Sequence, residues 1–383
     1  MKVTGNWLEN PATQAVCEAI MHDGAQALFV GGCVRNSLLG VAVSDIDIAT
    51  DATPETVIAL ADRAGIKVVP TGIDHGTVTL VNDGIPHEIT TFRRDVETDG
   101  RRAVVAFSTQ LEEDAARRDF TMNALYAQAD GTLLDPILGL PDLRARRVRF
   151  IGDAEARIRE DYLRSLRFFR FHAWYGDAQQ GMDADAIAAI AANLDGIDKV
   201  SRERIGAEML KLLAAPDPAP SVAGMRSTGL LAHVLPGADD RALGPLIAAE
   251  EQAGIPPDPI RRLAALGGGD LSDALRLSRV QARRLNELRD AAAGTMGAAE
   301  LGFRLKAKAA CDVILLRSAF LEQALNAEDL TKVEVGADAT FPVVAGDLID
   351  NFSGPALGAR LAELETLWIA SGFTLSREQL LLT

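Results

Sequence analysis

Two glycines and two aspartates raise the first chemical question. Gly31-Gly32 follow the apolar run ALFV, and thirteen residues after Gly32 come Asp45 and Asp47, separated by Ile46, in the stretch SDIDIAT. In a strand, residues two apart share a face, so Asp45 and Asp47 project together while Ile46 and Ile48 turn to a core. Two carboxylates held about 5–7 Å apart on one face repel each other unless a cation sits between them. Mg²⁺ suits such a pair, because it favours hard oxygen ligands and keeps waters and substrate phosphates in its shell. The Gly-Gly turn lets backbone approach a triphosphate closely, and a helix beginning near Val34 offers N–H groups to it. A third acid comes from a later hairpin: Glu88 in PHEITTF, on a strand expected to neighbour the first. Together these residues make a phosphoryl- or nucleotidyl-transfer site in which metal ions bind the attacking and leaving oxygens. A lone D-x-D is most often a pair of turn or surface acids. The Gly-Gly turn at a fixed distance reverses that reading.

Those residues need elements to hold them. ALFVGG reads as a strand, VRNSLLG as a short helix closed by Gly40, and SDIDIAT as a second strand. TPETVIALADRAG reads as a helix capped by Thr53 with Pro54 at its first position. GTVTLVNDGIPHEITTF reads as a hairpin turning at Asn82-Asp83-Gly84. From about residue 150 nearly everything is helical, including DAEARIREDYLRSLRFFRFHAWY as one helix, with APDPAP as a linker. The expected fold class is α+β: a mixed-sheet head over residues 1–145, an all-α neck over 146–215, and an all-α body and tail over 216–383.

The 383 residues are 48% hydrophobic and 5% aromatic, with no run of eighteen apolar residues and no signal-peptide core at the N-terminus. The chain is therefore expected in the cytoplasm, with no membrane partner. Three scattered cysteines and five histidines show no disulfide or zinc-ligand spacing. The net charge of −15 argues against a nucleic-acid partner, but its distribution argues for one. Between Arg93 and Arg170 stand fifteen arginines, no lysines and fourteen acids, a local balance of +1 in a chain otherwise at −16. Arginine without lysine suggests bidentate contact with phosphate or base edges, although salt-bridged helix faces account for about half of such residues.

The order of motifs resembles a known family. GGCVRNSLLG followed by SDIDIAT is similar to the opening signature of DNA-polymerase-β-like nucleotidyltransferases, and within them to class II tRNA nucleotidyltransferases (CCA-adding enzymes) and bacterial poly(A) polymerases. ARRDFTMNAL (Ala116–Leu125) resembles the ribose-recognising motif, and DPILGLPDL (Asp135–Leu143) the head–neck hinge. RFIGDAEARIREDYLRSLRFFRF (Arg149–Phe171) resembles the base-selecting motif, and SRERIGAEMLKLL the helix bracing the neck. The resemblance implies catalytic roles for Asp45, Asp47 and Glu88, with Mg²⁺ on the first two. It implies nucleotide binding by Gly31, Gly32, Arg35, Arg118, Asp119, Asn123, Asp161, Arg164 and Arg167, an orienting role for Glu160, and a hinge at Asp135, Gly139 and Asp142. It also implies CTP and ATP as substrates, tRNA as partner, and no stable protein partner. Two departures are visible: Arg35-Asn36 stands where the family usually has Arg-Asp, and Gly139-Leu140 where it usually has two glycines.

The motifs also make chemical sense on their own. In RRD, Arg118 can reach a phosphate and Asp119 can accept from ribose hydroxyls; Arg117 is an even choice between substrate and a solvated helix end. In EDYLR, Asp161 and Arg164 are three apart and share a face if helical, and Glu160 can orient Arg164. Cytosine and adenine present an amino donor beside a ring-nitrogen acceptor, whereas guanine and uracil present a carbonyl beside a ring N–H. A carboxylate plus an arginine fits the first pair and opposes the second, without a template. The turn SGPALG before a C-terminal helix reads as a helix–helix turn more readily than as an RNA-phosphate seat. The rivals are a poly(A) polymerase, an enzyme adding part of CCA, or a non-catalytic RNA- or nucleotide-binding module. Against these stand the acidic tail, the full-length segment RRDVETDGRRAVVAF, and the presence of both acids of D-x-D.

Overall fold

The computed structural model describes residues 1–70, 72–73, 76–98 and 103–383, with the side chains of 95–98 and 103–105 excepted. His75, Arg101, Arg102 and the centre of RRDVETDGRRAVVAF lie outside the described residues. The chain forms two compact units. One is Met1–Glu208 with Pro220–Val234, and the other is Met209–Ala219 with Leu235–Thr383.

The first unit carries the sheet. Its strands are β1 (Leu28–Val30), β2 (Ile46–Thr50), β3 (Lys67–Val69), β4 (Thr77–Asn82), β5 (Ile85–Thr91), β6 (Arg93–Thr98), β7 (Ala103–Phe107), β8 (Tyr126–Ala127) and β9 (Leu133–Leu134). Seven of them run in the order β3-β4-β5-β2-β1-β8-β9, while β6 and β7 form a separate two-stranded sheet among the described residues. β2 and β5 are parallel and the other pairs antiparallel, so the sheet is mixed as the pattern predicts. The hairpin β4–β5 closes through Asp83 and Gly84, both at positive φ, which is the geometry a two-residue turn requires. Phe120 is fully buried and packs its ring on Phe150, Phe168 and Phe171, with centroids 5.0–6.3 Å apart. This aromatic cluster fixes the RRD segment just before Phe120 against the helices that follow, at about 0.5–1.5 kcal/mol per ring pair beyond area burial.

The long helix expected across REDYLRS is broken. It divides into Ala154–Glu160 and Leu163–Tyr175, with Asp161 extended between them at φ −152, ψ 103. Asp161 Oδ1 accepts from Leu163 N at 3.1 Å. Aspartate competes with helical backbone bonding in this way, which favours a cap over a helix interior. Asp161 and Arg164 therefore do not share a helix face, contrary to the sequence reading.

The second unit is helical throughout, with the isolated bridge Ala238↔Gly267. At its centre Glu250 accepts from both Arg261 and Arg262, while Arg261 also reaches Asp312 at 2.6 Å. Arg262 donates onward to the carbonyls of Leu213, Ala215 and Pro216. The APDPAP stretch expected as a linker is therefore gripped at its start by a buried guanidinium. Among the described residues no helix is long and apolar enough to cross a membrane.

Candidate active site

The two aspartates stand at the start of β2. Asp45 is exposed just ahead of the strand and Asp47 is half-buried within it, while Ile46 and Ile48 are buried on the opposite face. β5 lies alongside with Glu88 in register with Asp47. His87 and Ile89 are buried, so Glu88 emerges on the same side as Asp47, about 4.8 Å of strand spacing away. Burial pushes the Asp47 carboxyl up to about 6; Glu88 and Asp45 add to the rise, and Arg118 and Arg35 oppose it. Among the described residues no cluster of three or more His, Cys, Asp or Glu side chains closes into a metal cage. The acids form instead an open face of oxygen donors. That fits Mg²⁺, which takes one or two carboxylates and completes its octahedron with water and phosphate oxygens.

Gly31 makes the turn between β1 and the helix Gly32–Leu39 at φ 69, a left-handed conformation that a side chain resists. The helix thus begins two residues earlier than expected. Arg118 Nη1 lies 3.7 Å from where a Cβ on Gly31 would be, so the guanidinium faces this turn. Two partners aim it: Arg118 Nε donates to the Tyr126 hydroxyl at 2.9 Å and Nη2 to Asp114 at 2.9 Å. Arg117, the even choice in the sequence, is held by Asp114 at 3.1 Å.

Asp119 is buried and fully occupied. Oδ1 accepts from Phe120 N and Asn123 Nδ2, and Oδ2 takes both Nε and Nη2 of Arg167. A ribose hydroxyl would have to displace one of these donors, so Asp119 acts first as a positioner. Asn123 continues the chain by accepting from Arg35, which is buried and stacks on Tyr175 at 4.0 Å. Asn36 accepts from Arg35 as well, so the amide keeps the local pairing that an aspartate would make there. Burial acts to raise the Asp119 pKa, but Arg167 and Asn123 overcome it and hold the carboxyl at about 2. A depressed carboxyl stabilises the fold fully above its unfolded pKa of 3.8 and loses that contribution as pH falls toward 2. Between pH 4 and pH 2 the wild type is expected to lose roughly 2 kcal/mol that Asp119→Asn does not lose. Urea unfolding of both proteins across that range measures it, and parallel pH profiles would contradict the assignment.

In the EDYLR segment Glu160 binds Arg164 and also Arg157, at 2.6 Å for the latter. Arg157 in turn donates to the carbonyls of Arg117 and Arg118, tying this segment to RRD. Asp161 pairs not with Arg164 but with Arg204, at 2.7 Å, from the helix Arg202–Leu213. In DPILGLPDL, Asp135 accepts from the N–H groups of Gly139 and Leu140 at 2.7 and 3.0 Å. Asp142 is buried and accepts from Thr121 and Arg149. Gly139 is required, because a Cβ there would lie 2.2 Å from the Thr121 carbonyl oxygen. Leu140 is ordinary helix; the residue held where glycine is favoured is Leu138, at φ 58.

Sequence reading missed Asp114, Tyr126, Tyr175, Arg157, Arg204 and Glu208, the partners that aim the site. Glu208 holds Arg170 at 2.5 Å and lies 3.9 Å from Arg167. The available signal was Glu208 in SRERIGAE, an acid seven residues into a motif already marked as bracing.

Two family models match. Residues 27–149 match the poly A polymerase head domain, and residues 181–241 match a probable RNA and SrmB-binding site of polymerase A. Human mitochondrial CCA tRNA nucleotidyltransferase 1 is 42% identical over 201 residues, covering 52% of this chain and 46% of that protein. The CCA-adding enzyme of Geobacillus thermodenitrificans is 40% identical over 234 residues, covering 60% and 56%. The chain thus spans about half the length of the curated relatives it matches. The crystal structure of Bacillus stearothermophilus CCA-adding enzyme in complex with CTP superposes with a TM-score of 0.76 at 29% identity, covering 94% of this chain and 92% of that one. Thermotoga maritima CCA-adding enzyme complexed with tRNA shares the fold, with a TM-score of 0.73 at 19% identity over 100% and 97% of the two chains. The sheet, the paired acids and the head and RNA-binding matches stand in one order, and over these segments the chain is similar to CCA-adding enzymes and poly(A) polymerases.

Proposed function

We propose that this chain is a template-independent RNA nucleotidyltransferase that adds C, C and A to the 3′ end of tRNA from CTP and ATP, releasing pyrophosphate. The observation that carries the reading is the acid face of Asp45, Asp47 and Glu88 beside the Gly31 turn and Arg118. Nucleotidyltransferases of this family depend in general on a divalent metal. We place Mg²⁺ on Asp45 and Asp47, where it would supply the positive charge that offsets the phosphate oxygens. One of the two carboxylates helps activate the 3′-OH. The backbone after Gly31 and the Arg118 guanidinium bind the triphosphate, while Asp119 holds Arg167 and Asn123 in place. The hinge at Asp135, Gly139 and Asp142 joins the head, residues 1–145, to the neck, residues 146–215. The body and tail, 216–383, take the tRNA. Free cysteines, two of the three buried, agree with a reducing compartment such as the cytoplasm. The direct test is pyrophosphate release that needs both CTP and a tRNA lacking its 3′ end; release without RNA, or none at all, would refute the reading.

Base choice rests on Asp161 and Arg164. Asp161 accepts from the exocyclic amine and Arg164 donates to the neighbouring ring nitrogen or carbonyl. Asp161→Ala removes the acceptor that rejects the carbonyls of U and G, so discrimination is expected to shrink by about 1–3 kcal/mol. Arg164→Ala lowers CTP and ATP use more than it raises UTP use. Glu160→Ala acts in the same direction more weakly. The check is kcat/KM for all four nucleotides. One common slowing factor in Asp161→Ala would move selection elsewhere.

A further inference from the structure

Six of the fifteen arginines between Arg93 and Arg170 sit on acids that line the candidate site: Arg117 and Arg118 on Asp114, Arg157 and Arg164 on Glu160, Arg167 on Asp119, and Arg170 on Glu208. These ion pairs hold the candidate site together. The run RARRVR, residues 144–149, is different. Its four arginines, Arg144, Arg146, Arg147 and Arg149, are all exposed. Arg149 is paired with Asp142, and Arg144 donates to the Met1 sulfur. Among the described residues Arg146 and Arg147 form no ion pair, although hydrogen bonds from Gln179 and Gln180 lower the Asp177 pKa and the charge of Arg146 lowers it further.

These two flank a cleft of about 240 Å³ whose far wall is Gln180, Gly181, Met182 and Asp183. The segment that presents them is fixed by its backbone. Arg146 N donates to Leu143 O, the Arg146 carbonyl accepts from Asp177 N, and Arg147 N donates to Asp142 O. Arg146 is held at φ 49, a conformation that costs energy in a residue with a side chain. Two acids adjoin the cleft, and both are engaged. Asp183 caps the following helix by accepting from Ala186 N, and Asp177 accepts from Gln179 N and Gln180 Nε2. The far wall also opens the stretch that matches an RNA-binding family model, residues 181–241.

We propose that Arg146 and Arg147 bind the phosphodiester backbone of the RNA substrate in this cleft, a contact outside the nucleotide site. The proposal rests on the function proposed above and assigns where the RNA is gripped. Arginine is the fitting residue, because its planar fork meets phosphate oxygens in pairs. In a chain of net charge −15, a local excess of this kind decides where a polyanion can settle.

The test compares full-length wild type, Arg146→Ala/Arg147→Ala and Arg146→Lys/Arg147→Lys in tRNA binding from about 50 to 200 mM salt. Losing two phosphate contacts should reduce the slope of log K against log salt by about 1.4–1.8. The alanine pair should weaken tRNA binding about tenfold or more at the lower salt, with KM for tRNA rising to match. kcat at saturating tRNA and KM for CTP should stay unchanged. The lysine pair should keep most of the slope. An alanine variant with wild-type thermal stability, affinity and slope would overturn the proposal. So would a loss confined to competition by inorganic phosphate, with tRNA binding intact. A wild type that binds tRNA with the expected slopes but adds no nucleotide would instead refute the proposed function and leave this surface standing.

Discussion

Asp45→Ala and Asp47→Ala are each expected to reduce nucleotide incorporation to below about one per cent of wild type, since a lost metal site costs several kcal/mol of transition-state stabilisation. The fold and most tRNA binding should survive. Asp45 is exposed, and Asp47 carries a carboxyl that its surroundings already disfavour in the charged form, so neither holds the sheet together. Labelled CTP incorporation, run beside a melting curve and a tRNA-binding isotherm, separates chemistry from stability. Turnover well above a per cent in a folded variant would sink the two-acid assignment. Glu88→Ala should act more mildly, because Glu88 faces Asp47 from the neighbouring strand and tunes its charge.

The largest stability effect is expected far from that chemistry. Glu250 is 2% exposed and binds Arg261 and Arg262, themselves 2% and 1% exposed. Glu250→Ala strands one guanidinium with carbonyls alone and leaves the other with Asp312. Breaking a buried ion pair from one side costs about 3–5 kcal/mol. Urea unfolding followed in the C-terminal unit should show that loss. A change below about 1 kcal/mol would mean that water reaches the network and screens it.

The parts legible in the sequence are those governed by local pattern. Alternation in SDIDIAT places Ile46 and Ile48 inward and the acids outward, and Asp83-Gly84 specifies its own hairpin. The pairing of β5 with β2 was only half legible, because nothing local says which strand Glu88 will meet. The break at Asp161 was missed because the apolar period runs on through it; the deciding event is a carboxylate bonding Leu163 N in place of a helical carbonyl. Asp119 looked like a substrate acceptor because its four protein donors come from as far as Arg167, and spacing does not reveal them. Nothing in the local pattern marks Arg261 and Arg262 as buried. Only the approach of Glu250 and Asp312, eleven and fifty-one residues from Arg261, explains their burial. For Asp119, Arg261 and Arg262 the missing information was a long-range polar partner.

The central claim is tested most directly by sequencing the 3′ ends of a tRNA lacking CCA after incubation with each nucleotide singly and with all four together. The account predicts CC with CTP alone, CCA with CTP and ATP, and no addition from UTP or GTP. Long adenosine tails from ATP alone, or unchanged ends under every condition, would contradict it.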